Sequence, residues 1–178
     1  MNRAGRETPP LHDLGDWRAR QQVFESLSGH AEVPATFATE SGLPERRRAA
    51  RITPNTLSLL RVVPIIGRDF SEADAVPGAP PVVLIGHRLW ESVFRSDPKV
   101  AGTTVRVDGK PARVVGVLPP KFGFPESEEM WLPADITLPA KRGEGFRLNV
   151  MGRLRDGVTL ERAQTEMAAI AQQLAAAY

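Results

Sequence analysis

The chain contains no cysteine. That absence excludes disulfides, thiolate metal sites and a cysteine nucleophile, while leaving the compartment open between cytosol and periplasm. Lysine is scarce, confined to Lys99, Lys110, Lys121 and Lys141, so the basic side chains are mostly arginine. Histidine occurs only as His12, His30 and His87, too far apart for a His-x-x-x-His metal motif. Long apolar runs are missing. The longest, "VVPIIG" and "PPVVLIG", are strand-sized, against the roughly 18–20 residues of a membrane span. The opening "MNRAGRETPP" lacks the apolar centre of a signal peptide. P-loop, dinucleotide fingerprint and Gly-x-Ser-x-Gly elbow are absent too.

What is present suits a globular fold. The 178 residues are 42% hydrophobic and 25% charged, enough to fill one domain or two small subdomains. A net charge of +2 is too small to predict nucleic-acid binding.

Residues 1–10 read as a flexible, polar lead-in. Asp13 or Asp16 then caps a helix whose apolar stripe is Trp17, Val23, Phe24 and Leu27, closed by Gly29. "HAEVPATFATESGLPERRRAARI" reads as two extended pieces about a Ser41-Gly42 turn. Thr53 and Pro54 start a short helix with Leu57 and Leu60 inward. Ser71 and Asp74 have capping-box spacing inside a surface loop. "VVLIG" is a buried strand, and "HRLWESVF" a short helix presenting Leu89, Trp90, Val93 and Phe94. "TTVRVDGKPARVVGV" is two β-rich runs joined by Asp108-Gly109, the pair that a tight positive-φ hairpin turn prefers. "NVMGRLRDG" is a strand and turn. A strong helix capped by Thr159 follows, with Leu160, Ala163, Met167, Ile170 and Leu174 at helical spacing. Helical flanks around a β-rich middle indicate an α+β fold.

Chemistry-bearing constellations are few. His87 follows a strand end, a position that often carries function, but no nucleophile motif accompanies it. The acidic clusters Asp69, Glu72, Asp74 and Glu126, Glu128, Glu129 lack EF-hand spacing and read as solvated loops and caps. In "ERRRAAR" a strand would place Arg46 and Arg48 on one face and Arg47 and Arg51 on the other, dividing the charge. Without aromatic stacking platforms the segment is no nucleic-acid site, and Arg46 and Arg48 are candidate contacts for a partner or lipid headgroup. "VVGVLPPKFGFP" offers only Lys121 as a base, in an exposed loop. Its role is geometric: Pro119-Pro120 halt a strand and Phe122 and Phe124 anchor the exit.

The ordered run "GRDFSEAD…PPVVLIGHRLWESVFRSDPKVAGTTVRVDGKPARVVGVLPPKFGFPESEEMWLP" resembles the MacB-like periplasmic core domain of ABC transporter permeases. Its matching positions are Gly67, Arg68 and Phe70, Val82 to Ile85, Leu89, Trp90 and Phe94. They continue through Gly102, Asp108-Gly109, Val114 to Val117, Pro119-Pro120, Trp131 and Pro133.

The resemblance implies a two-lobed α+β fold. A discontinuous Porter-like lobe of βαβ type would take residues 11–51 and 143–178, and a β-rich Sabre-like lobe would be inserted at 52–142. It implies a non-catalytic extracytoplasmic domain, cut from a membrane protein, with no cofactor of its own and ATP only on a separate cytoplasmic ATPase. The implied partners are the permease's own transmembrane helices, that ATPase, a second copy in a homodimer, and a periplasmic adaptor or lipoprotein. The alternative is a module capturing a peptide, lipid or lipoprotein between the lobes, with Phe37, Phe122, Phe124 and Phe146 lining the cleft. A hydrolase built on His87 and loop carboxylates is the remaining rival.

Overall fold

The computed structural model describes residues 8–177 and is α+β, as the sequence pattern requires. The chain divides into two compact units: residues 30–137, here the central unit, and the described parts of 1–29 with 138–178, the flanking unit.

In the central unit, β1 (Phe24–Ala38, entering this unit at His30) forms a hairpin with β2 (Glu45–Ile52), in register from His30↔Ile52 to Phe37↔Glu45. β2 pairs in parallel with β7 (Met130–Pro133), which pairs with β4 (Val82–Ile85). β4 pairs in parallel with β6 (Lys110–Val117), whose hairpin partner β5 (Thr104–Val107) returns to β1 at Phe37↔Val107. The pairing therefore closes on itself, which removes free edges around this cycle. Residues 30–51 join the central unit for this reason, although the sequence reading grouped them with the flanks.

Alternation along the strands sorts side chains to two faces. Ala35, Phe37, Ala49, Val83, Ile85, Val105, Val107, Ala112, Val114, Met130 and Leu132, drawn from every strand of the cycle, form one core cluster. Leu89, Trp90, Val93 and Phe94 of α3 (His87–Phe94) join or pack against it. The opposite face gathers Ala50, Ile52, Val82, Leu84, Val115 and Trp131 under Leu57 of α2 (Thr56–Leu60) and Phe70. A register shift between Val83 and Leu84 lets Val114 and Val117 share a face despite odd spacing. Here Gly116 admits the short strand β3 (Ile66–Gly67): a Cβ at 116 would lie 2.7 Å from the Arg68 carbonyl oxygen and 2.8 Å from that of Ile66.

Several local expectations hold. Asp108 and Gly109 have φ of 51° and 76° in the β5–β6 turn. The Ser71–Asp74 capping box opens a 3-10 turn at Glu72–Ala75. The helix cap near Pro54 moves to Asn55, and Leu59 rather than Leu60 is the second buried leucine of α2.

In the flanking unit, α1 is Leu11–Arg20, with Leu11 and Leu14 buried. The expected helix through Leu27 is not formed: α1 ends at Arg20, Val23 is a buried bend residue before β1, and Leu27 lies in β1 itself, so the spacing only imitates a helical stripe. β8 (Asn149–Leu154) runs beside the first half of β1, anchored where Arg155 N–H donates to the Val23 carbonyl at 2.9 Å. α4 (Leu160–Ala177) buries Ala163, Ile170 and Leu174, and Thr159 caps it, its hydroxyl accepting from Arg162 N–H at 3.2 Å. Of the lead-in, residues 1–7 lie outside the described residues. Thr8 and Pro10 are pinned rather than loose: Arg147 donates to the Thr8 carbonyl at 2.7 Å and pairs with Pro10. Among the described residues no helix is long and apolar enough to cross a membrane.

Candidate binding groove

Strand pairing brings two oppositely charged runs together. β2 begins with Glu45-Arg46-Arg47-Arg48, and its parallel partner β7 is preceded by Glu126-Ser127-Glu128-Glu129. Glu129 N–H donates to the Arg48 carbonyl at 3.0 Å, and Gly86 N–H donates to the Glu129 carbonyl at 2.7 Å. The side chains then pair: Arg47 with Glu129 at 3.0 Å and with Glu45, and Arg48 with Glu126 at 2.8 Å and Glu128 at 3.6 Å. The Glu128 carboxylate, 1% exposed, also accepts from Glu126 N–H at 2.8 Å. Arg47 and Arg48, each met by two carboxylates, present little attraction to a polyanion.

The loop between β6 and β7 is wedged as the prolines and aromatics suggest. Leu118 N–H donates to the Ile85 carbonyl at 2.8 Å, ending β6 against β4. Phe122 packs on Trp131 with ring centroids 5.3 Å apart, and the Trp131 indole donates to the Phe124 carbonyl at 2.7 Å. Phe124 meets His30 edge-on at 4.8 Å. Burial holds the His30 imidazole below its ordinary pKa, opposed by the nearby Glu128 charge, so His30 is neutral at neutral pH.

Between this loop, the first turn of α3 and the start of β2 lies a groove of about 560 Å³, lined by Arg47, Arg48, His87, Arg88, Lys121, Phe122 and the 126–129 glutamates. A shallower concavity of about 380 Å³ shares Arg47, Arg48, Glu128 and Glu129 and adds Arg46 and Glu32. A third, about 500 Å³, lies beside Arg51, Lys110, Asp135 and the 76–81 loop.

His87 Nδ1 stands 3.1 Å from Glu91, and its ring lies edge-on to Trp90 at 5.3 Å. The Ser92 hydroxyl in the same groove donates to the Leu89 carbonyl at 3.4 Å, so it is turned to its own helix and not offered as a nucleophile to His87. Among the described residues no cluster of three or more metal-ligating side chains occurs. The other acidic cluster is held by Arg68, which grips Asp74 with contacts of 2.7 and 3.0 Å. That grip, aided by Ser71, lowers the Asp74 pKa to about 2, whereas burial lifts Asp69 to about 6.

The six candidate contact residues do not converge. Arg48 and Phe122 line the groove, Phe124 lies outside its lining and meets His30, and Arg46 is exposed at the start of β2 beside the shallower concavity. Phe37 is 3% exposed in the core of the central unit, which removes it from any binding surface. Its alternation with Ala35 along β1 dictates that burial. Phe146 is 36% exposed in the flanking unit. Sequence reasoning missed Arg88 as a groove residue and the pairing of the glutamate run with the arginines. The available signal was the complementarity of "ERRR" and "ESEE", two runs of opposite sign each beside a strand.

The model of the MacB-like periplasmic core domain family matches residues 3–170. The chain belongs to that family. Its members are periplasmic domains of ABC-type transporter permeases, as the run from Gly67 to Pro133 implied. Solved structures with the same fold include the periplasmic region of MacB from Actinobacillus actinomycetemcomitans, at 17% identity and a TM-score of 0.72, covering 97% of this chain and 76% of that one. A domain of a putative permease protein from Porphyromonas gingivalis matches at 16% identity and 0.64, covering 89% and 68%. The extracellular domain of the noncanonic ABC-type transporter YknZ from Gram-positive bacteria matches at 16% and 0.63, covering 88% and 77%. Comparison with curated proteins gives no match. In this chain the Val-Val-Gly-Val strand, the prolines and Trp131 with Pro133 are elements of shape: they set β6, its stop, and the β7 pairing that carries the groove wall.

Proposed function

We propose that this domain is the non-catalytic, extracytoplasmic part of an ABC-type permease at the outer face of a bacterial inner membrane, and that it relays ATP-driven motion outward. The family match over residues 3–170 carries this reading. ATP binds a separate cytoplasmic ATPase, the domain holds no cofactor, and its nearest partners are the permease's own membrane helices and a second copy of itself. The closed strand cycle of the central unit supports the mechanical role, because a sheet without free edges is stiff and transmits displacement without unravelling. An adaptor or lipoprotein outside the membrane receives the motion.

The experiment is a topology fusion in the full-length permease. Alkaline phosphatase joined after Gly78, in an exposed loop, is expected to be active, and green fluorescent protein at the same site dark. A bright fluorescent fusion with silent phosphatase would place the domain in the cytoplasm and overturn the reading.

A second reading is capture of a ligand or partner segment. The groove beside α3 favours it, and within the central unit alone it needs no cleft lined by Phe37.

A further inference from the structure

We infer that His30 is an acid-sensitive latch on the 118–129 loop: on taking a proton it releases Phe124 and loosens the loop that walls the groove. The inference goes beyond the function proposed above and does not depend on it.

The geometry leaves the imidazole no place for a second proton. His30 is the first residue of β1 in the central unit, opposite Ile52 of β2. Its Nδ1 is buried and has no hydrogen-bond partner among the described residues. The Phe124 ring, 4.8 Å away, covers the imidazole with carbon. A neutral imidazole can leave Nδ1 without a hydrogen, whereas the charged ring is a donor at both nitrogens. Protonation therefore creates a buried N–H that lacks an acceptor.

The charged groups nearby do not relieve it. On β1 the nearest in sequence is Glu32, which is exposed. On β2, Arg51 donates to the Pro133 carbonyl at 3.2 Å and Arg48 is held by Glu126 and Glu128. On the loop, Lys121 is exposed and Glu129 meets Arg47. Glu128 alone favours the charged ring, and burial outweighs it. Its carboxylate is already engaged, Oε2 accepting from Glu126 N–H at 2.8 Å and Oε1 standing 3.6 Å from Arg48. Drawing Glu128 toward His30 pulls on both contacts, so either response to the proton strains the loop.

The test follows the chain by NMR from pH 7.5 to pH 5. The His30 ring should titrate below the ordinary value near 6.5. Two loop donors report release: the Trp131 indole, bound to the Phe124 carbonyl, and the Glu128 amide, bound to that of Gly123. Their protection against hydrogen exchange, corrected for the intrinsic rate, should fall severalfold over this range. The limit at pH 5 is about 30-fold, set by an open-state imidazole that titrates near 6.5. His30→Gln should abolish the fall. Asp69 also titrates here but is present in both proteins, so it does not account for the difference. Glu128→Gln, which removes the favouring charge, should move the His30 titration further down. Should His30→Gln not fold, the ring titration and the protection of the unaltered chain still decide. A ring titrating at or above its ordinary value, protection that holds to pH 5, or an equal fall in the His30→Gln chain would each overturn the latch.

Discussion

The indole N–H of Trp131 on β7 donates to the carbonyl of Phe124 at 2.7 Å, binding a fully buried ring to the loop that precedes its own strand. The bond and the tilted Phe122 ring contact at 5.3 Å answer why a proline-halted strand should be followed by two phenylalanines. Trp131→Phe keeps an aromatic ring but orphans the Phe124 carbonyl, a loss of about 1–3 kcal/mol. Urea unfolding of the variant should show that destabilisation, and a midpoint equal to that of the unaltered domain would contradict the wedge.

A second prediction concerns acid. In Asp69 burial raises the pKa to about 6, so the folded state holds this proton more tightly than the unfolded chain, whose aspartates titrate near 3.9. Its contribution therefore grows as pH falls from about 6 to about 4. Asp74 has the opposite sign. Its pKa is lowered to about 2 by Arg68, so its contribution is present above about 4 and is lost as pH falls toward 2. Asp69→Asn should remove the gain between pH 6 and 4 and leave the loss below 4. Unfolding midpoints for both proteins across that range check it, and parallel curves would count against it.

Two glycines should behave differently. Gly109 has φ of 76° with open space around it, so Gly109→Asn, which tolerates that backbone, should cost under about 1 kcal/mol. Gly116→Ala would push a methyl into the carbonyls of Arg68 and Ile66, with a cost of about 1–3 kcal/mol or more. Thermal melts of both variants decide it. Equal losses would mean that β3 does not sit over Gly116.

What the sequence disclosed depended on the range of the determining interaction. The β5–β6 hairpin, the "VVLIG" strand, α3 and α4 were legible because turn residues, apolar runs and caps act within a few residues. β1 was misread because Val23 and Leu27 imitate a helical stripe, and its true determinant is pairing with distant strands such as β2 and β5. The groove was illegible for the same reason. Arg48 meets Glu126 across 78 positions, and only the parallel β2–β7 pairing joins the two runs. Phe37 looked available for contact until closure of the strand cycle made its face an interior one.

The claim that the domain relays motion is tested most directly in the full-length permease with its ATPase in proteoliposomes. With no native cysteine in this domain, Ser41→Cys in the central unit and Gln172→Cys in the flanking unit provide two exposed spin-label sites. Electron–electron distance measurements should give different distributions in the nucleotide-free and vanadate-trapped states. Identical distributions in a transporter that still exports its substrate would contradict the relay.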